Sequence, residues 1–162
     1  MTGALPEELR KLAETRAAQL LRAAEDPDFP QKRDRIVRLI GDRIEAILAP
    51  AGFTRKGNLW KRRGWWFNLS IELQRSRLGH DAWVNLAATP RLAIGTGRRP
   101  VAQRLGWFYP SGYPATEPGR MTYQVLIENP AELDEPMQVL REKALPWLLA
   151  MGRPFPGSGP KS

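Results

Sequence analysis

The side chains able to do chemistry in this chain are few. The one histidine, His80, stands beside Asp81 and follows Ser76 in the run SRLGHD. A serine–histidine–carboxylate relay needs a base within hydrogen-bond reach of a nucleophile and a third group to orient that base. Ser76 and Ser70 are the nearest hydroxyls in sequence, but no nucleophile-elbow motif surrounds either. A lone loop histidine serves more commonly as a turn residue or partial cap. With no cysteine in the chain, thiol catalysis, disulfides and cysteine metal sites are excluded together. No catalytic residue is assigned.

Phosphoryl chemistry offers a sharper enzyme reading. A helix, three strands and a helix are similar to the core of metal-dependent nucleases, and Glu72-Leu73-Gln74 faintly resembles their E-x-K element. Such chemistry needs at least two converging carboxylates to hold the ions. The preceding strand, NLWKRR, supplies none, and Asp81 falls beyond the strand end. Glu72 is more simply an outer-face residue balancing nearby arginines. No metal and no cofactor is therefore expected. The glycines of IGTGRR, with Arg98 and Arg99, could form a nest for an anion. The phosphate-loop pattern G-x-x-x-x-G-K-[ST] is absent.

Basic and aromatic residues interleave more persuasively. Net charge is +8, and residues 53–104 hold eleven basic side chains against Glu72 and Asp81 alone. The flanking segments are close to neutral, so the excess belongs to the centre of the chain. A localised excess attracts nucleic acid, phosphorylated ligands or an acidic protein. Arg55, Lys56, Lys61, Arg75, Arg77, Arg98 and Arg99 are the candidate anion contacts. Trp66 and Trp83 are candidate stacking residues, and Asn68, Glu72, Gln74 and Asn85 line the same expected face. Single-strand binders combine a basic groove with stacking aromatics. In the competing arrangement, WFYPSGYP folds over that face and hides its tryptophans as a second small core.

Elements must position these groups. The spacing predicts a helix over Leu5 to Ala24, with Pro6, Glu7 and Glu8 in its first turn and a leucine stripe interrupted by Arg16. Residues 1–25 read as a helical arm, lying on the domain or on a partner. A second helix over Pro30 to Leu48 carries Ile36, Ile40, Ile44, Ile47 and Leu48 on one face and ends at Pro50 and Gly52. Strands follow at Asn58–Arg63 and Trp65–Arg75, with a turn at Gly64 in positive φ. Period-two alternation sets Trp65, Phe67, Leu69, Ile71 and Leu73 on one face, the inward one. A third strand turns Val84, Leu86 and Ala88 inward. This gives the register Leu73 with Val84, Ile71 with Leu86, Glu72 with Asn85 and Gln74 with Trp83. Lys61 and Trp66 should then be cross-strand neighbours.

Residues 91–119 read as a long loop with a short helix over Pro100–Leu105. Arg120–Ile127 reads as a fourth strand. Asn129-Pro130 caps a helical segment, with Glu132 completing the cap and Pro136 and Pro146 breaking the helix into pieces. The sequence thus predicts one α+β domain over 30–151 and a disordered tail over 152–162. Its antiparallel sheet has four or more strands, with helices on one face and the long loop near the other. No apolar run is long enough for a membrane span, and the N-terminus lacks a signal-peptide pattern, which points to the cytoplasm.

Three stretches together resemble a family of small bacterial proteins, domain of unknown function 4304: AILAPAGFTRKGNLWKRR, FNLSIELQRSR and WVNLAATP. Gly52, Phe53, Arg55, Lys56 and Gly57 match its GF-x-RKG turn. Leu73, Gln74, Arg75, Ser76 and Arg77 match its NLQ-x-SR strand, except that Glu72 stands where asparagine is expected. Asn85 and Leu86 match its third element, and ALPWL at 144–148 resembles a family helix. The resemblance implies a single α+β domain and supplies no catalytic residues. The functional expectation is a non-enzymatic module that binds an anionic partner, nucleic acid first. A protein-interaction or antitoxin-like module is the alternative, and a metal-dependent nuclease a remote one.

Overall fold

A computed structural model describes residues 6–92, 100–113 and 117–153. Helix α1 (Glu7–Glu25) begins after Pro6, and its first turn carries Glu7 and Glu8 at the positive end of the dipole. Helix α2 (Phe29–Leu48) takes Pro30 in its first turn, where a missing N–H costs nothing. Its stripe of Ile36, Val37, Ile40, Ile44, Ile47 and Leu48 is buried. After a short 3₁₀ turn over Ala49–Ala51, Gly52 ends the helical run at φ 84°, a left-handed conformation that favours glycine.

The chain then builds an antiparallel sheet. Strands β1 (Thr54–Lys56), β2 (Leu59–Arg63), β3 (Phe67–Arg75), β4 (Asp81–Pro90) and β5 (Val101–Arg104) lie side by side in sequence order. The two-residue strand β6 (Met121–Thr122) also pairs with β4. The β3–β4 register is the expected one, with Leu73 opposite Val84, Ile71 opposite Leu86, Glu72 opposite Asn85 and Gln74 opposite Trp83. Alternation thus sends Leu69, Ile71, Leu73, Val84, Leu86 and Ala88 into the core, where each is at most 2% exposed. A slip of one residue would put this whole set into water.

Among the described residues, helices pack on that inner face. They are α2, α3 (Tyr123–Glu128), α4 (Asp134–Val139) and α5 (Leu145–Met151). Trp60 of β2 is fully buried, and its indole N–H donates to Glu45 of α2 at 2.5 Å. The α1 arm docks on the domain. Arg16 reaches across to the carboxylate of Asp81, with contacts of 2.6 and 3.1 Å, and Arg22 meets Glu128.

Four local expectations are corrected. Residues 101–104 form a strand, not a helix, because the open edge of β4 over Asn85–Ala88 takes their backbone groups. Of Arg120–Ile127, only Met121 and Thr122 pair with a strand, and Tyr123–Glu128 is helical. The apolar run was ambiguous in period; the buried set Tyr123, Gln124 and Leu126 follows the helical one. Pro136 and Pro146 do not break the chain. It stays helical from Pro130 to Met151, and a π turn over Leu140–Ala144 widens the backbone before Pro146, whose ring would otherwise press on a preceding carbonyl. Gly64 does not adopt positive φ. It is needed for close approach instead: a Cβ there would lie 2.4 Å from the Phe67 carbonyl oxygen. The Asn129 cap forms as expected, its side chain accepting from Ala131 N and donating to Glu132. Most of the 152–162 tail lies outside the described residues.

Candidate polyanion-binding face

The outer face of the sheet follows from the same alternation. With Trp60 and Arg62 turned inward, β2 presents Leu59, Lys61 and Arg63 outward, opposite Glu72, Ser70 and Asn68 of β3. β1 adds Thr54 and Lys56. β4 contributes Trp83, Asn85, Ala87 and Thr89, and β5 contributes Ala102 and Arg104. A shallow depression of about 840 Å³ lies over this face. Lys61, Arg63 and Arg91 border it, and Asn68, Ser70 and Thr89 supply its hydrogen-bonding groups. Arg91 is held there by its own backbone N–H on Trp66 O, while its guanidinium donates to the carbonyls of Gly64 and Trp65.

Charge on this face is unbalanced. Among the described residues, Lys56, Lys61, Arg63 and Arg91 make no ion pair, whereas the cations beside the helices do. Residues two apart on a strand project on one face about 6.6 Å apart, so Lys61 and Arg63 form a row along β2. Lys56, opposite Leu59, extends that row by one step. The spacing is comparable to that of successive phosphates along a nucleic-acid backbone.

Only part of the expected anion set converges. Lys56 and Lys61 lie on the outer face. Arg55 and Arg75 point to the helix side, where Asp42 and Asp34 answer them at 3.2 and 3.5 Å. Arg55 also stacks over Trp60, 5.1 Å from the ring centre. Arg77 is exposed in the β3–β4 turn, and Arg98 and Arg99 lie outside the described residues. Lys61 faces Ser70 rather than Trp66, because the strand starts at Phe67 and not at Trp65: both tryptophans sit in the β2–β3 loop, outside the ladder, and Trp65 is 61% exposed rather than turned inward. Trp83 is on the outer face but engaged: its indole N–H donates to Glu117 at 2.9 Å and Arg104 lies over its ring. Asn68 borders the depression, Glu72 is exposed, and Asn85 donates to Gln74 at 2.8 Å.

Arg63 and Arg91 are the cations that sequence reasoning passed over. Arg63 carried a signal, since it follows Lys61 by two on a strand. Arg91 had none, because only the fold brings it back against the 64–66 loop. Among the described residues, Trp107–Tyr113 does not line the depression. Trp107 and Phe108 pack against Trp147 of α5 at 6.1 and 5.3 Å, and Tyr113 donates to Glu135 of α4.

The hydroxyl, imidazole and carboxylate around residue 80 are separately employed. Ser76 Oγ accepts from Leu78 N, and His80 packs on Phe29 at 5.7 Å. Asp81, 4% exposed, is held by Arg16 and Thr122. The Asp81 carboxylate in turn raises the pKa of Arg16 through its hydrogen bond. Among the described residues, no group of three histidine, aspartate or glutamate side chains is placed to hold a metal ion, and no helix is long and apolar enough to cross a membrane. Compared with protein-family models, with curated proteins and with solved structures, the chain matches none.

Proposed function

We propose that this chain is a non-enzymatic binding module whose outer sheet face takes the backbone of a nucleic acid. One observation carries the reading. Lys56, Lys61, Arg63 and Arg91 gather on a single face with no carboxylate partner among the described residues, beside the amide and hydroxyls of Asn68, Ser70 and Thr89. With Trp83 already occupied, contacts to phosphate outweigh base stacking, and recognition is weakly dependent on sequence.

The test is a binding titration against single- and double-stranded DNA and RNA at low and moderate salt, with polyglutamate as competitor. Salt-sensitive binding that polyglutamate does not displace supports the proposal. Absence of binding at low salt overturns it. Preferential capture of polyglutamate turns the reading to an acidic protein partner.

A further inference from the structure

A second cavity shares no lining residue with the basic depression, and its chemistry is the opposite. It measures about 160 Å³, on the order of five waters at liquid density. Its apolar surface comes from Met121, Val125, Leu126 and Pro136, and its aromatic wall from Tyr109 and Tyr113, edge to face at 4.8 Å. Three glutamates and one cation, Arg120, line it. Glu117 is shared between Arg104 and Arg120, at 3.4 and 3.1 Å. Glu132 and Glu135 make no ion pair among the described residues, although the chain as a whole carries +8.

We propose that this cavity binds an aliphatic ammonium group. Glu132 and Glu135 supply the countercharge, and the tyrosine rings supply faces that attract a cation. Methylenes of the stem lie on Met121, Val125 and Leu126. An anion is refused by the two carboxylates, and a neutral ligand gains only the apolar contact. The local field agrees. The hydrogen bond to Glu135 raises Tyr113 to about 12, and burial raises Tyr109, with the charge of Glu135 adding in both cases. Of these causes it is the charge of Glu135, which opposes a phenolate, that favours an ammonium.

Isothermal titration of the full chain with pentylamine, pentanol and pentanoate at neutral pH tests this. A ligand of this size reaches about a millimolar dissociation constant. The expected result is one pentylamine per chain, bound at least about tenfold tighter than pentanol, with pentanoate weakest. E132Q/E135Q should bring amine and alcohol within about twofold of each other. The methyl resonances of Met121 and Leu126 should shift saturably with pentylamine, which locates the site even should the variant fail to fold. Equal binding of amine and alcohol to the native chain overturns the proposal. So does an undiminished amine preference in the folded double variant, or a lack of methyl shifts. Nα-acetyl-lysine methylamide in a parallel titration separates the sources: tighter than pentylamine, the group is a protein lysine; weaker, a free amine. None of these outcomes bears on the sheet face, whose cations lie elsewhere.

Discussion

If the outer face holds a nucleic-acid backbone, its salt dependence counts the cations that do so. Lys56, Lys61, Arg63 and Arg91 give about four phosphate contacts, and for a single strand the slope of log K against log salt is then about −2.8. Affinity should fall about 50-fold between roughly 50 and 200 mM salt. The variant K61A/R63A removes two contacts, so the slope should drop to about −1.4 and the same salt change should cost only about sevenfold. Both side chains are exposed or nearly so and make no ion pair among the described residues, so the variant should fold normally. Fluorescence anisotropy of a labelled oligonucleotide across a salt series reads the slope directly. The decisive control is R55Q/R75Q. These arginines are answered by Asp42 and Asp34 on the helix side, and their loss should leave the slope at its native value. Equal slopes for K61A/R63A and the native chain, or a reduced slope in R55Q/R75Q, would refute the assignment of the face.

Three further predictions concern the frame that holds this face. R16A leaves Asp81, 4% exposed, with Thr122 as its remaining side-chain partner, and should cost about 2–4 kcal/mol. Calorimetry should then show Tm lowered by roughly 5–15 °C, and hydrogen exchange should speed up across α1. All three tyrosines, Tyr109, Tyr113 and Tyr123, have raised pKa values, the first and last through burial and Tyr113 through its bond to Glu135. Raised folded values mean stability that is complete below the ordinary tyrosine range and is lost as pH climbs through the folded values. Absorbance at a phenolate wavelength should therefore show no tyrosine titrating normally near pH ~10, and late ionisation accompanied by unfolding. G64A drives a Cβ to 2.4 Å from the Phe67 carbonyl and should cost about 1–3 kcal/mol by denaturant titration; an unchanged midpoint would show that the β2–β3 loop can relax.

The sheet's centre was legible because burial on one side imposes a period of two. Leu69, Ile71, Leu73, Val84, Leu86 and Ala88 could share a face in only one register, and the structure has that register. The stripe of α2 was legible for the corresponding reason at a period of 3.6. Where the apolar run was short, at Tyr123–Glu128, both periods fitted, and packing against α2 and α1 chose the helix. Pro100 looked like a helix start until the unpaired edge of β4 claimed the residues after it.

Composition and spacing by themselves determined the α+β class, the β3–β4 register and the placement of positive charge in the middle of the chain. Only the tertiary structure decided which of those charges are available. Side-chain alternation tells one face of a strand from the other, but it does not say which face the helices will cover. That is settled when α2 lays Asp34, Asp42 and Glu45 along the inner side, answering Arg75, Arg55 and Trp60 and leaving Lys56, Lys61 and Arg63 outside. Arg91 joins them through a backbone bond between residues 25 apart, a long-range contact that no local pattern encodes.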